Sequence, residues 1–278
     1  MMQTNHKLPV IGAAMYLPDL PQYIDWLVGG QRDLELQDPS WIDYLDHDWH
    51  AQAEAGRKLL TDHGYRGRLG IHAAFDALDL GAEDKLIRKV VETRYLQSLE
   101  FGAIVGATHM VIHSPFVAFG SALVNFTPKS NRQRIIDSVH ATLEKVLPIA
   151  ERQQCILVIE NIRDKNPQPL LDLVRSFNSD YVRLSIDTGH AAIMERDGGA
   201  PPHQWVTEAG DLLAHVHVQD LDGHDDRHWA VGEGDLNWRA FFRAINALNH
   251  QPRLCIEVND MSDIARSAAW LEQQGLAC

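Results

Sequence analysis

Cysteine is scarce: three residues in 278, Cys155, Cys255 and Cys278, do not form a disulfide framework. Cys155 and Cys255 each open an apolar run and are expected as small core residues. No stretch approaches the uninterrupted apolar length that a membrane span needs. The opening MMQTNHKLPVIG lacks a charged segment followed by a long apolar run, so no secretory signal is read and a cytoplasmic protein is expected. Basic residues are also in short supply, 25 against 38 acidic, for a formal net charge of −13. That balance disfavours a nucleic-acid partner, whose affinity comes largely from Lys and Arg neutralising phosphates. No Pro/Gly/Ser-rich linker and no low-complexity block divides the chain, and 45% hydrophobic residues suffice for one large core. Residues 1–278 read as a single domain.

What is present is an alternation. Short apolar runs stand at LPVIGAAM (8–15), RDLELQ (32–37), RLGIHA (68–73), THMVIH (108–113), CILVIE (155–160), YVRLSI (181–186), LLAHVHV (212–218) and RLCIEV (253–258). Amphipathic helix patterns lie between most of them, including 83–103, 130–153, 237–248 and 260–275. Near-continuous Val, Ile and Leu suits strands buried on both faces. Eight such strands alternating with helices predict an α/β fold, a (β/α)8 TIM barrel. An open doubly wound sheet is the alternative, but no GxGxxG follows the first run. DGGAPP (197–202) breaks the pattern after the sixth run, where a long loop or a short helix is expected.

Six of the eight runs end on a residue able to bind metal: His72, His113, Glu160, Asp187, His217 and Glu257. In a parallel barrel these ends share one rim, so residues distant in sequence meet around one bowl. Each alone is ordinary as a core or surface residue. Together they would be costly to bury without a compensating cation. SIDTGH (185–190) is read as a tight Gly turn flanked by Asp187 and His190. In DDRHWAVGEGDLNW (225–238), Asp226 and His228 form an extended Asp-x-His pair facing one side, and GEG turns the loop before a helix near Asn237. His215 is assigned to the strand face opposite His217, and His224 to solvent.

The motifs IHAAFD, MVIHSPF, VIEN, DTGH, HVQD, DRHWAVGEGDLNW and IEV resemble the xylose-isomerase-like TIM-barrel superfamily, roughly from His72 to Glu257. Sugar epimerases, isomerases, dehydratases and the endonuclease IV nucleases belong to it. For the epimerases the resemblance implies one metal site of Glu160, Asp187, His217 and Glu257, with Glu160 and Glu257 also carrying protons. For the nucleases it implies those four plus His72, His113, His190, Asp226 and His228, around a three-metal cluster. All nine positions match.

The rim composition favours a small carbohydrate over DNA. The segment 38–50 has four aspartates and no Lys or Arg, 73–84 has four acids and no base, and 220–235 has six acids against Arg227 alone. Lys129, Arg132, Arg163 and Lys165 are enough for one phosphate and too few for a duplex. The expected function is therefore metal-dependent isomerisation or epimerisation of a small sugar or derivative, by enediolate proton transfer between Glu160 and Glu257. The alternatives are zinc-dependent cleavage at abasic DNA, or dehydration of a polyol-derived ketone. The intact glutamate and ligand set argues against a non-catalytic sensor. His-rich ligation favours Zn, Mn, Co or Fe as the divalent ion. Tyr16, Trp41, Trp49 and Trp229 stand at the rim, either lining a pocket or packing loops on the barrel. Homo-oligomerisation stays open.

Overall fold

The apolar runs fold as eight parallel strands that close on themselves in sequence order. They are β1 (Gly12–Met15), β2 (Leu34–Leu36), β3 (Leu69–His72), β4 (His109–His113), β5 (Ile156–Glu160), β6 (Val182–Asp187), β7 (Leu213–Val218) and β8 (Arg253–Ile256). The computed structural model describes residues 8–116 and 131–278. The barrel is sealed where β8 pairs with β1 through Gly12↔Cys255 and Ala13↔Ile256. β1 is shorter than its apolar run because residues before it pair with the chain end: the Ile11 N–H donates to the Cys278 carbonyl at 2.9 Å.

Among the described residues eleven α-helices surround the strands: α1 (Leu20–Gly30), α2 (Ile42–Asp46), α3 (His50–Asp62), α4 (Lys85–Val105), α5 (Asn131–Leu143), α6 (Leu147–Gln153), α7 (Pro167–Ser176), α8 (Thr188–Arg196), α9 (Pro202–Ala209), α10 (Trp238–Asn246) and α11 (Asp263–Gln273). The pattern over 130–153 breaks into α5 and α6. Pro148 has no N–H and clashes with the carbonyl four residues back, so it stands in the first turn of a new helix. DGGAPP does not make a long loop. It separates α8 from α9, with Gly198 at φ +82° and Pro201 and Pro202 opening the second helix.

Successive strand residues face opposite ways, and here the two faces differ in chemistry. Leu34, Leu36, Ile71, Met110, Ile112, Leu157, Ile159, Leu184, Ile186, Val216, Leu254 and Ile256 form the apolar layer packed with the helices, each essentially inaccessible. The alternate residues point into the barrel. Contacts between Glu35 on β2, His109 on β4 and His215 on β7 are possible only across that interior. A Cβ at Gly70 would lie 1.8 Å from Cε1 of His109, so the imidazole fills the space that a side chain on β3 would take.

Candidate metal centre

Because the strands run parallel, their carboxyl ends lie on one rim, and the structure draws the nine residues of the family pattern around it. Three contiguous groups form: His72, His113 and Glu160; Glu160, Asp187 and His217; and His190, Asp226 and His228. Potential ligand atoms within each group lie within 4.8 Å of one another. Glu257 joins through His217, whose Nδ1 is 3.3 Å from Glu160 Oε1 and 3.4 Å from Glu257 Oε2. Glu160, on β5, belongs to two of the groups. Its register neighbours are His113 on one side and Ser185 on the other.

Local structure aims each side chain. Asp187 is not one flank of a Gly turn: it ends β6 and caps α8, accepting the His190 N–H at 2.6 Å. An Asp cap satisfies an end donor and sets the first turn, which brings His190 round to the bowl. Gly189 is needed for close approach instead, since a Cβ there would meet the Gln219 side chain at 2.4 Å. Asp226 and His228 do share a side, with His228 Nε2 3.2 Å from Asp226 Oδ1. They achieve it through His228 in the left-handed region, φ +48°, rather than through an extended pair. Gln219 holds the arrangement, donating to Asp226 at 2.7 Å and accepting the His228 N–H at 3.0 Å. Asn161 ties β5 to β6 by accepting the Asp187 N–H at 2.8 Å.

Four histidines have one ring nitrogen tied down. Nδ1 of His72 donates to the Ala73 carbonyl (2.8 Å), that of His190 to the Asn161 carbonyl (2.9 Å) and that of His228 to the Glu257 carbonyl (3.2 Å). A carbonyl can only accept, so each ring carries a proton on Nδ1, and in the neutral ring the Nε2 lone pair faces the bowl. His217 is reversed: Nε2 donates to Glu35 at 2.8 Å and Nδ1 faces Glu160 and Glu257. Fixing one nitrogen by a hydrogen bond is how proteins present the other to a cation. Glu160 Oε2 is buried without a hydrogen-bond partner, between the Nε2 atoms of His72 (3.7 Å) and His113 (3.8 Å). A carboxylate oxygen so placed is costly unless a cation meets it. The residues therefore fit a divalent ion of the kind bound by imidazole and carboxylate.

The charges are strongly coupled. Burial raises the Glu160 carboxyl, yet His217, His190 and His72 outweigh it and hold the group well below the usual carboxylate range. Burial pushes Asp187 up to about 6. For His228, burial favours the neutral ring, but Asp226 and Glu257 prevail and bring it up to about 9. His190 and His217 likewise rise well above an ordinary imidazole, while burial drives His113 down to about 3.

Above these groups lies a cavity of about 230 Å³, smaller than the ~300–1,000 Å³ typical of drug-sized ligand sites. Ser40 and Trp41 after β2 and Phe75 after β3 line one side, and Asn259 and Met261 after β8 another. Of the rim aromatics, Tyr16 and Trp41 line it, joined by a Trp41 Nε1–Tyr16 hydroxyl hydrogen bond of 3.1 Å. Trp49 is instead buried against Phe101, and Trp229 packs beside Arg227. No Lys or Arg lines the cavity among the described residues. Arg132 is paired with Asp172, Lys165 with Asp197, and Arg227 with Asp222 and Asp225. Lys129 lies outside the described residues.

One assignment is reversed. His215 does not face away from His217: residues two apart on a strand share a face, so His215 lies inside the barrel one layer deeper, fully buried. With it come residues absent from the sequence reading of the site, Glu35 and His109, both fully buried, and Gln37, which donates to Glu257. For Glu35 and Gln37 the signal was an acid between two leucines and an amide two residues on, at the end of a short apolar run. His224 is exposed, as expected, its N–H on Asp222.

A barrel closed by eight strands, with imidazoles and carboxylates gathered at their carboxyl ends, defines a class, and the sequence comparison agrees. Residues 31–274 match the xylose isomerase-like TIM barrel family model, and the chain belongs to that family. An uncharacterized Methanocaldococcus jannaschii protein, MJ1311, is 22% identical over 218 residues, covering 75% of this chain and 70% of its own. Among solved structures, the TTHB071 protein of Thermus thermophilus, from a crystal soaked with zinc chloride, is 25% identical with a TM-score of 0.68, covering 96% of this chain and 97% of its own. A D-tagatose 3-epimerase-like protein is 21% identical with a TM-score of 0.74, covering 95% and 96%. Other structures with this fold are sugar 3-epimerases.

Proposed function

We propose that the protein is a metal-dependent isomerase or epimerase of a small sugar or sugar derivative, with Glu160 and Glu257 as the proton-transferring pair. The observation that carries this reading is their arrangement: two glutamates, one ending β5 and one just after β8, approach the same ring nitrogen of His217, beside a small cavity. Glu160, Asp187, His217 and Glu257 would hold the ion, which polarises a carbonyl and an adjacent hydroxyl and so acidifies the C–H between them. One glutamate then takes the proton and the other returns it at the same or a neighbouring carbon. Gln37, donating to Glu257, keeps that carboxylate oriented towards the cavity. Tyr16, Trp41 and Phe75 cover an apolar flank and limit water. The likeness to D-tagatose 3-epimerase-like and other epimerase structures supports the substrate class.

A second reading has its own observation. Eight of the nine side chains fall into three contiguous ligand groups, with Glu257 beside His217, more than a single ion requires and in keeping with zinc-dependent phosphodiester cleavage. Against it stand the acidic rim and the pairing of Arg132, Lys165 and Arg227 with aspartates, which leaves little to grip a duplex. Metal analysis of the purified protein, then assays on a ketose panel and on an abasic-site duplex, separates the two. Ketose turnover without nicking is expected. Nicking without sugar turnover would overturn the proposal.

A further inference from the structure

Beneath the rim, the middle of the barrel holds a second polar layer that the chemistry above does not use. Glu35 on β2 sits at its centre with no accessible surface. Its Oε1 accepts from His217 Nε2 at 2.8 Å. Its Oε2 lies 3.1 Å from His215 Nε2 and 3.4 Å from His109 Nε2. His215 is held from its other side, Nδ1 lying 2.8 Å from the Ser185 hydroxyl on β6. His109 is seated where Gly70 leaves room for its ring. Imidazoles from β4 and β7 thus converge on one carboxylate of β2, and that carboxylate touches one member of the rim, His217.

Such a cluster needs a reason, because burying a carboxylate is costly and an apolar plug would fill the space without that penalty. We infer that Glu35 is a positioning residue: it fixes His217 in the Nε2-protonated form, so that Nδ1 offers its lone pair between Glu160 and Glu257. The inference rests on the metal-centre reading proposed above and adds a distinct claim. His217 alone among the four anchored histidines presents Nδ1, and it alone is anchored by a carboxylate rather than a backbone carbonyl. An anionic acceptor makes the opposite nitrogen a more basic ligand as well as orienting it. His109 Nε2, within hydrogen-bonding reach of the second oxygen of Glu35, restrains that carboxylate, while His215 Nε2 packs against the same oxygen without a hydrogen bond. Ser185 completes the chain as partner of His215.

The test compares wild type with Glu35→Gln, which preserves shape but removes the charge and one acceptor. Cobalt(II) affinity is measured by competition with a chelator, together with the visible absorption of the cobalt-loaded protein. Expected is a roughly 10–100-fold weaker affinity, the usual cost of losing such a partner, with a changed cobalt spectrum. Equal affinity and an unchanged spectrum in Glu35→Gln, with wild type binding tightly, would overturn the positioning role alone. Wild type that takes up no divalent ion would overturn both it and the metal centre. If Glu35→Gln loses a whole equivalent of metal while the remaining sites keep their affinity, then Glu35, His109 and His215 are ligands themselves, and the inference fails. If the variant does not fold, long-range proton–nitrogen correlation on metal-loaded wild type still decides: His217 must carry its proton on Nε2, and a proton on Nδ1 with Nε2 bare would refute the assignment.

Discussion

Glu160 illustrates how one residue can be asked to do opposing things. It is buried, it lacks a hydrogen-bond partner for Oε2, and four imidazoles face it from His72, His113, His190 and His217. His217, His190 and His72 keep it ionised, as the proposed roles of base and ligand both require. Glu160→Gln and Glu257→Gln should each lower ketose turnover by at least ~10²–10⁴-fold, the usual worth of a positioned acid or base. Steady-state kinetics with measured metal content in each variant checks this. If either variant stays near wild-type rate with metal bound, the two-glutamate scheme is wrong. His228 supplies a complementary handle on pH. Folded without metal it keeps its proton up to about pH 9, against 6.5 for an ordinary imidazole. Its contribution to stability is therefore complete below about pH 6.5 and is lost as the pH climbs through 9. Metal requires the neutral ring, so binding gains over the same interval and releases protons. Urea unfolding of chelator-treated and metal-loaded protein across this range should show the gap between them widening with pH. A constant gap would mean that metal does not displace the His228 proton.

At the scale of elements, most of the alternation between strand and helix was readable because it depends on local period. All eight apolar runs became strands, and the four helix patterns formed, one of them divided at Pro148. Ends and turns were less legible. Asp187 was expected beside a turn and instead caps a helix, because a strand-to-helix junction and a Gly turn use the same residue types. Helix α4 shows the ordinary form of that device: Asp84 accepts from the N–H groups of Leu86 and Ile87. Asp84→Ala should cost about 1 kcal/mol, read from the denaturation midpoint without change in metal affinity. A midpoint equal to wild type would mean that the cap is solvated rather than structural. Gly70→Ala is a harsher test of strand packing. With His109 Cε1 only 1.8 Å from the added Cβ, the ring or the strand must move, and a loss of ~1–3 kcal/mol or more is expected. Unchanged stability would mean that the barrel interior is loosely filled beside β3.

Across the whole molecule, the barrel sorts chemistry by depth. Apolar side chains occupy the layer between strands and helices, while polar groups gather in the interior, with Glu35, His109 and His215 at mid-depth and the candidate ligand set at the carboxyl rim. Removing metal should therefore act on the rim and not on the helical layer. Metal-free protein is expected to keep its far-ultraviolet circular dichroism while melting at lower temperature, since ligands bound only by the folded state stabilise it by mass action. Complete loss of helical signal on chelation would show that the fold depends on the ion. No helix among the described residues is long and apolar enough to cross a membrane.

The chain's local pattern was enough to declare the strands, their number and the six residues that end them, because apolar period and strand length are properties of short windows. It could not declare which interior residues meet. Glu35 reaches His217 across 182 positions, and Asp226 reaches His190 from a loop that must fold back over the rim. His215 joined the interior for a reason as local as any, a spacing of two, yet its role became visible only with Glu35 opposite. Closure of the sheet sets those distances and decides which nitrogen of His190, His217 and His228 carries the proton, whereas His72 is set by the carbonyl of the next residue. Curvature and stagger arise from all eight strands together, and no single segment contains them.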